Sequence, residues 1–264
     1  MHPQLITGLP IQTFGLCVGL GVLLGWMLID RLAKPRDLSG LVLLAVFAGI
    51  AGARLAHVAE YWHADGFDAD FVRAFKFWEG GLVFYGGLVA AFAAFLVWTR
   101  VRRAPFFATA DIVAVALPLG HAFGRLGCFF NGCCWGRVSD ACIAVSFPRH
   151  SIPWRDQCGH GLISADAAKS LPVLPTQLIE AAALLALCAL LYFVYRRCRR
   201  YTAALYLLSY GALRFGIEFL RADDRPDLWG LSSAQLVSLA ALALGGIFLW
   251  LNLKHRGEPA CDHR

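Results

Sequence analysis

The chain has 264 residues, 58% of them hydrophobic and only 16% charged, with a mean hydropathy of +0.59. Soluble domains carry about 25% charged residues, so this composition excludes an ordinary soluble fold and points to one polytopic membrane domain over 1–264. The net charge of +6 is explained by basic clusters beside membrane spans, so it implies no nucleic-acid partner.

Seven apolar runs are long enough to cross a hydrocarbon core of about 30 Å, which takes roughly 20 helical residues. They cover 11–29, 39–59, 81–99, 107–125, 173–195, 202–220 and 232–252. Backbone groups in lipid must pair within their own segment, so the expected fold is an all-α integral membrane protein of about seven transmembrane helices. The runs are too continuously apolar for a membrane β-barrel. The opening "MHPQLITGLP" has no basic n-region and no small-residue cleavage site, so the first run reads as a retained span. The second turns polar toward its end, at Arg54, His57 and Glu60. The third opens in "EGGLVFYGGLVAAF", where Gly80, Gly81, Gly86 and Gly87 surround Tyr85. Those glycines suit either helix packing or close approach of a lipid chain. The fourth ends in "GRLGCFFNGCCWGR", with His121 four residues before Arg125 on the same face. A polar region follows over about 126–172, in which "IAVSFP" predicts a short strand and "SADAAKS" a short helix. The fifth run holds Gln177 and Glu180. In the sixth, Arg214, Glu218 and Arg221 stand at i, i+4 and i+7 of "RFGIEFLR".

Charge places the ends of these helices. Basic clusters fall at Arg31, Lys34 and Arg36, at Arg100, Arg102 and Arg103, at Arg196 to Arg200, and at Lys254, Arg256 and Arg264. The alternate loops carry Glu60, Asp65, Asp68, Asp70 and Glu79, and Asp223, Asp224 and Asp227. The positive-inside rule then predicts an outside N-terminus, a cytoplasmic C-terminus and a periplasmic 126–172 region.

Ionisable side chains inside spans cost several kcal/mol and mark function by default. Arg54, Arg125 and Arg214 qualify. Several arginines at one depth suit a phosphate, which the guanidinium fork holds bidentately, and near the outer leaflet that phosphate is a lipid headgroup. The bland alternatives are a self-neutralising Arg214–Glu218 pair and arginines that snorkel to the interface. Cys128, Cys133, Cys134, Cys142 and Cys158 all fall on the outer side, where disulfides persist. A bridge among them, a thiol activated by a nearby arginine, and a zinc site remain open. Zinc is the weakest of these, because "CFFNGCC" with His150 and His160 has no recognised ligand spacing. No metal and no cofactor are expected.

In this order, "FYGGL", "GRLG-FFNG--WGR", "PTQLIE" and "RFGIEFLR" resemble the prolipoprotein diacylglyceryl transferase family over most of the chain. The resemblance implies a bacterial inner-membrane, multi-pass enzyme. It would move the diacylglyceryl group of phosphatidylglycerol to the lipobox cysteine of a prolipoprotein signal peptide, releasing glycerol phosphate. It implies catalytic roles for Arg125 and Arg221. It implies substrate-binding roles for Arg125, Arg214, Glu218, Gly86, Gly87, Asn131, Gly136, Gln177 and Glu180. The family pattern has asparagine at Cys128, glutamate at Cys133, histidine at Tyr85 and tyrosine at Phe14. Three expectations therefore stand side by side. One is the family transfer, with His121 or Tyr85 in the place of the histidine. The second is a divergent lipid transfer in which Cys128 or Cys133 is a reactive thiol. The third is a non-enzymatic lipid-binding membrane protein.

Overall fold

Long apolar stretches with no lipid-side partners for their amides close their hydrogen bonds internally, and the chain is mostly helical. The computed structural model describes residues 13–65, 67, 70–76, 80–222, 227–228 and 230–254. The charges read at Asp68, Glu79, Asp223, Asp224, Arg256 and Arg264 lie outside the described residues. Eight α-helices follow in order among the described residues: α1 Thr13–Ala33, α2 Ser39–Glu60, α3 Phe84–Val101, α4 Phe106–Asn131, α5 Ile152–Gly159, α6 Thr176–Arg197, α7 Thr202–Glu218 and α8 Ser233–Lys254. One two-stranded antiparallel ribbon, Asp227–Leu228 with Leu231–Ser232, precedes α8.

Six helices, α1, α2, α3, α4, α6 and α8, are long and apolar enough to cross a membrane. The sixth predicted run forms α7, whose 17 residues follow directly on the 3₁₀ turn Arg199–Tyr201 and span about 26 Å at a 1.5 Å rise, the short end of what a hydrocarbon core takes. Two local expectations need correction. "SADAAKS" is not helical. Ser164 instead closes a turn, accepting from the Asp166 amide at 3.2 Å through its hydroxyl and from the Ala167 amide at 3.0 Å through its carbonyl. "IAVSFP" forms isolated bridges, Val145 with Val173 and Pro148 with Lys169, rather than a strand. The only helix among the described residues between α4 and α6 is α5, which has a proline in its first turn.

The described residues pack as two compact units. One contains the chain up to Ile29 and from Ala110 onward; the other is Asp30–Thr109. In the first unit, α1 lies against α4 with almost no side chain between them: a Cβ on Gly21 would sit 2.9 Å from the Gly120 carbonyl oxygen. Pro118 interrupts the hydrogen-bond ladder of α4, and one turn earlier the Cys188 thiol of α6 donates to the Val115 carbonyl at 3.3 Å. Asp111 of α4 is buried and accepts from the Ala203 amide at 2.7 Å, so a carboxylate from another helix caps the start of α7. Above α4, Trp135, Phe147 and Val173 form a small apolar core with Phe129 packed against it. That core anchors the stretch between α4 and α6.

In the second unit, α2 and α3 form a close antiparallel pair. Gly52 and Gly86 face each other's backbone: a Cβ on Gly52 would lie 2.3 Å from Ala90 Cβ, and one on Gly86 2.6 Å from the Gly52 carbonyl. Gly87 packs the same way on Gly49. This is the small-residue packing of membrane helices, and it accounts for the glycine-rich "YGGL" without a ligand. Arg54 is also spent internally. Its Nε donates to the Ala74 carbonyl at 2.9 Å and its Nη1 to the Gly80 and Gly81 carbonyls at 2.7 and 3.1 Å, while Nη2 donates to the Arg73 carbonyl. It staples the loop between the two helices rather than offering a phosphate fork.

Candidate active site

The first unit gathers most of the residues singled out from the sequence. On α4, His121, Arg125 and Cys128 recur at i, i+4 and i+7, one face of a helix that runs six residues further than its apolar run, to Asn131. Beyond it, Gly132 adopts φ +75° and Cys134 φ +65°. The two left-handed residues turn the chain sharply, and Cys133 and Cys134 come back beside Cys128. The turn is pinned from α6, where Thr176 Oγ1 donates to the Cys134 carbonyl and Gln177 Nε2 to the Cys133 carbonyl, both at 2.7 Å. Gly136 then threads between two strands of backbone: a Cβ there would meet the Leu174 and Leu220 carbonyls and Thr176 Cγ2, each at 2.8 Å. Gly136 bridges Arg221, which brings the end of α7 to the same place.

Charge is concentrated here. Arg125 Nε lies 3.1 Å from Glu180 Oε2, close but out of line for a hydrogen bond. His121 Nε2 is 3.9 Å from Glu180 Oε1. Arg214 pairs with Glu218 one turn along α7. Glu180, Gln177, Arg214 and Arg221 are all buried. Gln177 Oε1, Glu180 Oε1 and Arg214 Nη1 are buried without a hydrogen-bond partner. Unsatisfied groups of this kind cost about 1–3 kcal/mol each and in native sites await a ligand or water. Three guanidiniums (Arg125, Arg214, Arg221) gather beside two carboxylates (Glu180, Glu218), a grouping that suits an anion.

Three further residues belong to this assembly. Tyr210 stands edge-on to His121 at 5.2 Å and interacts with Glu180, Arg125 and Arg214. Thr176 supplies the pin described above. Cys134 closes the thiol group: its sulfur and those of Cys128 and Cys133 all lie within 4.8 Å of one another. Hydrogen bonds with Cys128 and Cys133, and then the charge of Arg221, hold the Cys134 thiol well below the usual thiol range. Asn131, exposed at the end of α4, reaches Cys133. The i, i+4 spacing of Tyr210 with Arg214 was a readable signal; the αL turn that recruits Cys134 was not. Tyr85, Gly86 and Gly87 lie in the second unit, where both glycines serve the α2–α3 contact.

The architecture is that of an all-α, multi-pass integral membrane protein with a buried arginine–carboxylate cluster. The family model described as prolipoprotein diacylglyceryl transferase matches residues 3–251. Proteins named phosphatidylglycerol–prolipoprotein diacylglyceryl transferase are similar along most of their length. That of Caulobacter vibrioides is 31% identical over 96% of this chain and 90% of its own. That of Bordetella bronchiseptica is 34% identical over 88% and 89%, and that of Methylococcus capsulatus 33% identical over 82% and 79%. The chain belongs to the prolipoprotein diacylglyceryl transferase family, and is a transferase of that class.

Proposed function

We propose that the protein transfers the diacylglyceryl group of phosphatidylglycerol to the thiol of a lipobox cysteine in a prolipoprotein signal peptide, at the outer face of the bacterial inner membrane. The observation that carries this reading is the arginine cluster with its buried, unpartnered polar atoms of Gln177, Glu180 and Arg214. A phosphodiester brings negative charge to these arginines and accepts bidentately from Arg125 or Arg214. As the carbon–oxygen bond to the phosphate breaks, the leaving glycerol phosphate gains a second charge. Arg125 and Arg221, both in this cluster, would offset it. Glu180 and Glu218 hold the arginines in place, with Gln177, Asn131 and Gly136 shaping the wall. The incoming thiol has an ordinary pKa near 8.5 and needs a proton acceptor. His121, partly exposed and within 4 Å of Glu180, is one candidate. Tyr85, with Gly86 and Gly87 at the start of α3, is the other. The domain is read as one polytopic unit with its N-terminus outside.

The test uses purified protein in nanodiscs with phosphatidylglycerol and a lipobox peptide, read by mass spectrometry. The peptide should gain one diacylglyceryl group, and an Arg125→Ala protein should not produce it. Peptide left unmodified by a folded protein that binds the lipid would overturn the reading in favour of the divergent or non-enzymatic alternatives.

A further inference from the structure

The thiol cluster is unused by the mechanism above, yet it is the most carefully built feature of the first unit. Cys134 is a non-glycine residue at φ +65°, a conformation that costs on the order of 1 kcal/mol or more and persists only where its surroundings impose it. They do so here through Thr176 and Gln177, whose bonds fix the Cys133 and Cys134 carbonyls on one side. The Cys133 amide adds a bond to the Cys128 carbonyl at 3.1 Å. The sulfurs of Cys128, Cys133 and Cys134 are thereby held together as three free thiols, all within 4.8 Å. With Zn–S bonds of about 2.3 Å, tetrahedral thiolates stand about 3.8 Å apart, so a side-chain shift of roughly 1 Å closes the group on one ion. Three thiolates around a divalent ion leave a net charge of −1, and Arg125 and Arg221 lie beside them to balance it.

We propose that Cys128, Cys133 and Cys134 form a three-thiolate site for a single zinc ion, whose fourth position is open to the thiol of the acceptor peptide. Three protein ligands and one open position are the pattern of a catalytic rather than a structural zinc site. The inference rests on the transferase reading for its chemistry. The acceptor thiol binds zinc as a thiolate and releases its proton to water. Its sulfur attacks the glyceryl carbon next to the phosphate. The carbon–oxygen bond breaks, and its electron pair leaves with glycerol phosphate onto the arginines. The product is a neutral thioether, a poor zinc ligand, and it dissociates. Nothing is oxidised or reduced. Metal coordination is an established way of activating a nucleophile, and here it does the work of a general base.

Full-length protein is purified in detergent under reducing conditions, stripped with a chelator and titrated with Co²⁺, then with Zn²⁺. One Co²⁺ per chain should bind with a thiolate-to-metal charge-transfer band. The band should be weakened in Cys134→Ser, lost when all three are serine, and unaffected by Cys142→Ser or Cys158→Ser. Thermal unfolding identifies any variant that fails to fold, and in that case the wild-type titration decides. Adding lipobox peptide should intensify the band, whereas its serine analogue should not. Chelation should lower transfer by about 100-fold, the scale of supplying a deprotonated nucleophile, and Zn²⁺ should restore it. No stoichiometric ion in protein whose three thiols titrate as free overturns the site. Undiminished transfer by stripped protein overturns the metal's role and leaves the transferase reading intact. One bound ion with no transfer at any loading supports the site and sinks the transferase reading.

Discussion

Arg125 owes its place to company on three helices. It is one turn from His121 and from Cys128, faces Glu180 across from α6, and meets Tyr210 from α7. A lysine keeps the charge but not the planar fork. Arg125→Lys should therefore cut transfer by about 10²–10³-fold, the scale of losing one aimed donor, with little change in thermal stability. An activity within threefold of wild type would mean that the fork is not used. Thr176 acts differently, holding the strained Cys134 peptide through one hydroxyl. Thr176→Val leaves a buried carbonyl without its donor, a cost of about 1–3 kcal/mol. It should lower the melting temperature and speed alkylation of Cys134 by freeing the turn. An unchanged melting temperature and alkylation rate would show that other contacts hold the turn.

Apolar run length located the helices because it depends only on residues near one another in sequence. The starts of α2 at Ser39 and α7 at Thr202 coincide with the predicted runs. The end of α4 does not, because Phe129 docks on a core made from Phe147 and Val173, a contact the apolar run cannot announce. Charge spacing placed Arg214, Glu218 and Arg221 on one face, but could not tell a stapling arginine from a ligand-binding one, and Arg54 is the former. The glycines of the third run were equally ambiguous, and in α3 they serve contact with α2. A single methyl there has a definite consequence. Gly52→Ala would drive its Cβ to 2.3 Å from Ala90 Cβ and 2.7 Å from the Gly86 carbonyl, costing about 1–3 kcal/mol. Limited proteolysis in the 61–83 loop should accelerate, as should the same digestion of Arg54→Ala. Gly15→Ala, which meets nothing within 4 Å, is the control. Equal digestion of Gly52→Ala and this control would show that the helix pair tolerates separation.

The proposed orientation makes a prediction for intact cells. Cys142 is exposed on the region after α4, and Cys198 lies between α6 and α7, among basic residues. With the N-terminus outside, a membrane-impermeant maleimide should label Cys142 in spheroplasts and reach Cys198 only after lysis. The reverse pattern would invert the topology and put the arginine cluster on the cytoplasmic side.

The order in which the chain is made adds a constraint of its own. α1 packs on α4 through Gly21 and Gly120, yet the whole of the second unit, Asp30 to Thr109, is synthesised between them. At about 5–20 residues per second, those roughly 80 residues take about 4–16 s to emerge. Throughout that interval α1 must wait in the bilayer with its glycine face unpartnered, while α2 and α3, adjacent in sequence, can already close on each other. The nascent protein thus has a built-in schedule: a finished helical hairpin exists before the helix that preceded it has found its mate, and α1 is the segment for which an insertase or holding factor would matter most.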